Sequence, residues 1–240
     1  MSKFLNYLWR GWFILLAVPS TIIFGIPVVL LSFKGSHFKY AYFFIRAWCL
    51  VLFYGMGFRY ELVKKTSETI RSGGHYIFIA NHTSIIDVML MCVLHPEHPI
   101  CFIGKAELAK IPIFNIIYKR ICILVDRKDP KSRAEVYSKA AKKMNQGQNI
   151  VIFPEGGVPD DTSIMLDRFK DGAFILSETH GFPIAVYTFV GLKEMFPFDH
   201  GKGFPGKVKV YFNAVLSPNL PSETLKSEAY RLIAATLRKA

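Results

Sequence analysis

From Gly11 to Phe33 the chain runs for 23 residues without a charged side chain, between Arg10 and Lys34. As an α-helix that stretch is about 34 Å long, enough to cross a hydrocarbon core of about 30 Å. It lacks the polar face that a helix on a soluble core presents to water. Pro19 and Pro27 each remove a helical hydrogen bond and Gly25 loosens the segment, so the spacing predicts a kinked or broken helix. A second apolar run, Tyr40–Phe58, holds Arg46, and its charge-free remainder Ala47–Phe58 is too short to span as a straight helix. Lys34, His37 and Lys39 separate the two arms, while Trp9, Trp12, Tyr40, Tyr42 and Trp48 suit the headgroup zone. Residues 1–57 therefore read as a membrane-associating helical hairpin, monotopic or re-entrant, with a two-pass hairpin as the alternative. Lys3 and Arg10 ahead of an apolar run also imitate a signal peptide, but no A-x-A-like site comes after it and the run exceeds the usual apolar length.

Charge points the same way. Thirty Lys and Arg against 18 Asp and Glu give +12, together with a mean hydropathy of +0.27. A membrane surface with anionic lipids suits both quantities. Nucleic acid accounts for the charge alone, and without a zinc-finger, RNP or helix-turn-helix pattern no nucleic-acid partner is expected. The four cysteines, Cys49, Cys92, Cys101 and Cys122, include no C-x-x-C pair, so they predict neither a zinc cage nor a disulfide framework. They read as small buried hydrophobes in a reducing compartment, which places the rest of the chain on the cytoplasmic face of the membrane.

From residue 58 to residue 240 short β-rich runs alternate with helical stretches, the pattern of an α/β domain with a mixed, mostly parallel sheet covered by helices. The expected strands are Arg59–Val63, Tyr76–Ala80, Ile100–Ile103, Ile121–Val125, Ile150–Phe153, Ile184–Phe189 and Lys207–Phe212. The expected helices are Ile85–Leu94, Ser132–Asn145, Asp171–Thr179 and Glu223–Lys239.

Directly after the second expected strand stands Asn81-His82-Thr83-Ser84-Ile85-Ile86-Asp87. A spacing of five puts His82 and Asp87 on different faces of a helix and on opposite faces of a strand. They can meet only if the chain turns between them, with Thr83 or Ser84 capping the next helix. Asp87 then holds one imidazole nitrogen and leaves the other as a base. Spacing alone allows a buried structural pair equally well. A metal site of His82, Asp87, His95 and His98 is a weaker alternative, because His95 and His98 lie beyond the far end of the helix.

The N-H-x4-D pattern resembles that of the glycerolipid acyltransferases of the 1-acylglycerol-3-phosphate acyltransferase, or PlsC-like, family. Gly104-Lys105-Ala106-Glu107-Leu108 with Pro112, then Asp126-Arg127, is similar to that family's second block. Phe153-Pro154-Glu155-Gly156 is similar to the third, and Phe169-Lys170-Asp171-Gly172-Ala173 and Pro183-Ile184 are similar to the family's segments beyond it. The resemblance covers about Tyr76 to Phe189, and the amino-terminal apolar hairpin is in character.

This resemblance implies transfer of a fatty acyl group from a thioester, acyl-CoA or acyl-ACP, to the sn-2 hydroxyl of 1-acyl-sn-glycerol-3-phosphate, making phosphatidic acid. His82 would take the hydroxyl proton and Asp87 would orient the ring, with no cofactor, metal or acyl-enzyme. Ser84 is expected to cap a helix rather than act as a nucleophile. Lys105, Arg127, Glu155, Gly156 and Lys170 are the implied substrate-binding residues; the implied partners are the two substrates, the membrane surface and, for an acyl-ACP donor, acyl carrier protein. One departure stands out. Where the family continues its third block with Thr and a basic residue that helps to hold the phosphate, this chain has Gly157-Val158-Pro159. Another acceptor, such as a lyso-aminolipid, is therefore an alternative, as is a catalytically silent lipid-binding or scaffold protein.

Overall fold

The computed structural model describes residues 2–110, 114–159, 161 and 163–239, the side chain of Phe114 excepted; Pro112 of the second block lies outside them. Seven strands form one sheet: β1 (Arg59–Lys64), β2 (Ile77–Ile79), β3 (Ile100–Lys105), β4 (Ile123–Val125), β5 (Asn149–Ile152), β6 (Ile184–Val190) and β7 (Lys207–Leu216). Their order across the sheet is β1-β7-β6-β2-β5-β3-β4, and every neighbouring pair is parallel except β6 and β7. The central strands lie between helices and read as unbroken apolar runs; β2 is buried at all three positions and β6 at six of seven.

Eight α-helices accompany the sheet among the described residues: α1 (Lys3–Leu31), α2 (Phe38–Gly55), α3 (Ile86–Leu94), α4 (Phe114–Ile121), α5 (Pro130–Asn145), α6 (Gly172–His180), the short α7 (Leu192–Met195) and α8 (Ser222–Leu237). α1 packs on α2 and α4, and α2 on α3, while α5, α6 and α8 form a second group. α5 starts at Pro130, two residues before the expected Ser132. Asp129 caps it by accepting from the N–H groups of Lys131 and Ser132, and proline at the first position has no N–H to leave unpaired. α4 is amphipathic but only eight residues long, and it takes in Ile121, the residue expected to open the fourth strand. Gly104 on β3 leaves room for the ring of Tyr118 on α4, which any Cβ would strike.

α1 is unbroken from Lys3 to Leu31 despite Pro19 and Pro27. Each proline removes one bond from a long ladder, and the Ser20 hydroxyl donates to the Leu16 carbonyl in the same region. Among the described residues α1 is the one helix long and apolar enough to cross a membrane. Phe4, Leu8, Leu15, Ile22, Ile26 and Leu30 on it are exposed. α2 differs in kind. Tyr42, Cys49, Leu52 and Phe53 are buried in the same core as the sheet, and Arg46, the charge inside the second apolar run, donates to the Val93 carbonyl at the end of α3. Indole N–H groups pin the seam between the first two helices: Trp9 donates to Met56 O (3.2 Å), Trp12 to Gly55 O (2.9 Å) and Trp48 to Thr21 Oγ1 (3.1 Å). Two of these acceptors are carbonyls at the end of α2, which its own ladder leaves unpaired.

All four cysteines are buried with free thiols. His95 is buried too, stacked on Phe78 with ring centroids 4.0 Å apart, and its Nε2 makes no hydrogen bond among the described residues. Burial, with the neighbouring His98 adding to it, pushes its pKa down from 6.5 to about 3. The unfolded chain therefore binds a proton there that the folded chain refuses, and stability is lost as pH falls from 6.5 toward 3, by up to about 1.4 kcal/mol per pH unit. His95→Phe keeps the stacking and removes the titration. Its thermal midpoint, measured by circular dichroism, is expected to fall less steeply than that of the parent chain between pH 6.5 and 4.5 and to match its slope above pH 7.5.

Candidate active site

β2 and β5 are neighbouring parallel strands, and the segments leaving their carboxyl ends carry His82 and Glu155. That end of an open α/β sheet is where ligand sites form. The chain turns after β2 and enters α3, bringing Asp87, in its first turn, back onto the loop. Three donors converge on Asp87 Oδ2: Thr83 N–H (2.6 Å), Ser84 N–H (2.8 Å) and His82 Nδ1 (2.9 Å). A carboxylate in a helix's first turn that reaches back to preceding amides is favoured by the helix dipole as well. The spacing of five is thus bridged by a turn, and the ring presents Nε2 outward.

Asp87 is completely buried, while the His82 side chain is 19% exposed, so the acid is sealed and the base reachable. The His82 ring stacks on Phe153, centroids 4.3 Å apart and planes 16° apart, which limits its rotation. Ser84 is fully buried; its hydroxyl donates to Phe196 O (2.8 Å) and accepts from Ile86 N–H (3.3 Å), but the N-cap of α3 is Ile85, so Ser84 stands one residue ahead of the capping position expected for it. Asn81 pairs with the backbone of Phe189 on β6 in both directions, at 2.9 and 2.8 Å.

Glu155 is buried, and both of its oxygens hold backbone: Oε1 accepts from His82 N–H (2.6 Å) and Oε2 from Asp167 N–H (2.9 Å). Burial raises its pKa above the ordinary carboxylate value, and the two amide donors oppose that rise. Next to it Gly156 has φ +81, where glycine is unstrained, and its N–H closes a turn onto Phe153 O (3.0 Å). The three implied cations gather on this glycine pair. The Arg127 guanidinium donates to Gly156 O. A Cβ placed on Gly157 would stand 3.6 Å from Lys105 Nζ and 3.7 Å from Arg127 Nη1; one on Gly156 would stand 3.4 Å from Lys170 Cε. Burial lowers the pKa of Arg127 from its ordinary value. Val158 is half-buried beside them.

All seven candidate residues thus belong to one neighbourhood, with Glu155 and Gly156 adjacent in the chain linking the His82 turn to the cations. His95 and His98 lie elsewhere: His98 Nε2 contacts Arg71 O (3.0 Å), and no three His, Cys, Asp or Glu side chains form a metal-ligand group among the described residues. Sequence reasoning quoted Asn81 and Phe153 within the motifs but gave them no role, and it missed the Ser84–Phe196 bond, since Phe196 carries no local signal.

An imidazole oriented by a buried carboxylate at the carboxyl ends of central parallel strands is the layout of general-base group transfer. The chain belongs to the acyltransferase family, whose model matches residues 61–189, more than half of the sequence. It is 27% identical over 156 residues to a 1-acyl-sn-glycerol-3-phosphate acyltransferase of Helicobacter pylori, a match covering 65% of each chain. The chain thus spans just under two thirds of that relative. It is 27% identical over 88 residues, 37% of this chain and 33% of the other, to a lyso-ornithine lipid O-acyltransferase of Pseudomonas aeruginosa. The crystal structure of the 1-acyl-sn-glycerophosphate acyltransferase PlsC from Thermotoga maritima has the same fold, with a TM-score of 0.79 at 23% identity over 100% of this chain and 97% of that one.

The Glu155 clamp has a measurable stability. Glu155→Ala leaves the N–H groups of His82 and Asp167 without their acceptor and is expected to cost about 2–4 kcal/mol, at about 1–2 per lost charge-assisted bond. Glu155→Gln keeps one acceptor and is expected to cost about half as much. Thermal unfolding of both variants checks the order.

Proposed function

We propose that this chain moves a fatty acyl group from an acyl thioester to the sn-2 hydroxyl of 1-acyl-sn-glycerol-3-phosphate at a membrane surface, forming phosphatidic acid. The observation that carries the reading is the His82–Asp87 pair at 2.9 Å, its base partly exposed and its acid sealed. The acceptor hydroxyl gives its proton to His82 Nε2 as its oxygen bonds to the thioester carbon. The tetrahedral intermediate collapses, the carbon–sulfur bond breaks, and the thiolate leaves with the proton returned by the imidazolium. Asp87 fixes the tautomer and stabilises the positive ring. Because a thiolate leaves readily, a single general base suffices.

In this reading Lys105, Arg127 and Lys170 hold the acceptor's phosphate by charge-assisted hydrogen bonds. Glu155, with both oxygens on backbone amides, buttresses the loop rather than touching the lipid. The exposed apolar row of α1 rests in the lipid, and the +12 net charge draws the chain to anionic headgroups. The donor carrier is CoA or acyl carrier protein.

Asp87→Asn preserves the geometry, because the donors meet on Oδ2 alone and the amide can occupy the place of Oδ1, which accepts no bond among the described residues. It removes the charge and puts an NH2 group where Oδ1 was. Both His82→Ala and Asp87→Asn are expected to lower kcat by at least a hundredfold while the chain still folds, with the lower thermal midpoint in His82→Ala, which takes one donor from the buried Asp87. Near-normal turnover by His82→Ala would overturn the mechanism, and no turnover of any lyso-lipid by the parent chain would favour a silent lipid-binding protein.

Val158 and the Pseudomonas relative favour a second reading, a lyso-aminolipid acceptor. Each cation contact to a phosphate is worth about 1.5–3 kcal/mol, so Lys105→Ala, Arg127→Ala and Lys170→Ala are each expected to raise the KM for 1-acyl-sn-glycerol-3-phosphate about ten- to a hundredfold. The thioester KM should move little. Unchanged acceptor KM in all three, or turnover confined to lyso-aminolipids, would put the second reading first.

A further inference from the structure

The His82 turn is fastened by polar bonds in three directions. Asn81 ties it to β6 and Glu155 ties it to the loop after β5. The third bond, Ser84 Oγ to Phe196 O at 2.8 Å, runs to the connection between β6 and β7. That connection contains the short α7, whose backbone holds Phe196 through its N–H to Leu192 O (2.9 Å), and Phe196 takes a further contact from outside the connection.

The contact comes from the amino-terminal end of α1. The Arg10 guanidinium lies over the Phe196 ring, 3.7 Å from its centroid, and Nη2 donates to Pro197 O (2.5 Å) and Lys202 O (3.1 Å). Asn6 donates to Gly201 O (2.8 Å), and Trp9 and Phe13 pack on the same ring at 5.5 and 5.4 Å. Three carbonyls of one short segment thus face two side chains of α1. Phe196 is buried, where a guanidinium on an aromatic face is worth more than at an exposed site. Ser84 completes the connection: its hydroxyl is on Phe196 O, and its backbone N–H is on Asp87 Oδ2 at 2.8 Å.

We infer that Arg10 is a positioning residue for the His82–Asp87 pair, acting from α1 through Phe196 and Ser84. Its catalytic consequence rests on the acyl-transfer reading; the physical linkage does not. Arg10 touches neither substrate nor the pair. It fixes the carbonyl that holds the Ser84 hydroxyl, and Ser84 in turn supports the amide that helps to hold Asp87. An apolar side chain of equal length would fill the space without gripping the carbonyls, so the charge and the donors are what the linkage requires.

The test compares Arg10→Met, which keeps the apolar stem, with Arg10→Lys, which keeps the charge, in the full chain on phosphatidylcholine vesicles containing phosphatidylglycerol. Hydrogen exchange at the Thr83 and Ser84 amides, which donate to Asp87, is expected to speed up at least tenfold in Arg10→Met and less in Arg10→Lys. Vesicle co-sedimentation is expected to stay at the parent level. In the acyl-transfer assay Arg10→Met is expected to lower kcat about tenfold with the acceptor KM within about twofold, and Arg10→Lys to recover most of the loss. Ser84→Ala cuts the same linkage from the other end, so the double variant Arg10→Met/Ser84→Ala is expected to be little worse than the poorer single variant. Unchanged exchange at the two amides overturns the inference whether or not the parent turns over, and so do strictly additive losses. Faster exchange in Arg10→Met with an inactive parent chain upholds the linkage and sinks the acyl-transfer reading instead.

Discussion

A single oxygen atom organises the site. Asp87 Oδ2 receives two backbone amides and an imidazole nitrogen while completely buried, so its charge has no water to stabilise it and depends on those donors. Remove any donor and the burial of the carboxylate becomes costly; keep all three and the turn after β2 has one geometry. The start of α3, the stacking of His82 on Phe153 and the exposure of Nε2 all depend on that geometry. Glu155 is its counterpart on the next strand, a second buried carboxylate used to hold backbone. Neighbouring parallel strands thus each end in a loop held by an acid.

The regular frame was legible because it is local. β6 is a continuous apolar run bounded by Pro183 and Gly191, and Asp129-Pro130 announces a helix start, so both elements fall close to where residues alone put them. α4 escaped because eight residues are too few for a convincing period, and its fit depends on Gly104 meeting Tyr118, a contact across sequence that periodicity cannot show. α1 runs unbroken through two prolines because each takes one bond from a ladder of 29 residues.

The site divides in the same way. His82 and Asp87 were readable from spacing plus the requirement for a turn, and Lys105, Arg127 and Lys170 from the family resemblance. What no spacing could reveal was the use of each group. Glu155, marked by its motif as a contact for substrate, has both oxygens on amides of its own chain. Phe196 is separated from Ser84 by 112 positions and matters through its carbonyl, which every residue possesses. Interactions made by backbone leave no trace in residue type.

The cations around Gly156 and Gly157 face bare main chain. In the acyl-transfer reading, a floor without side chains would offer an anionic headgroup attraction but little outline to match, so discrimination there would be by charge and reach more than by shape. Such a surface rejects few guests of the right sign. In evolutionary terms that reading would make the pair a point of low resistance: one side chain added at position 157, or one charge at 158, would narrow the range of lipids admitted and leave the His82–Asp87 pair one strand away as it is.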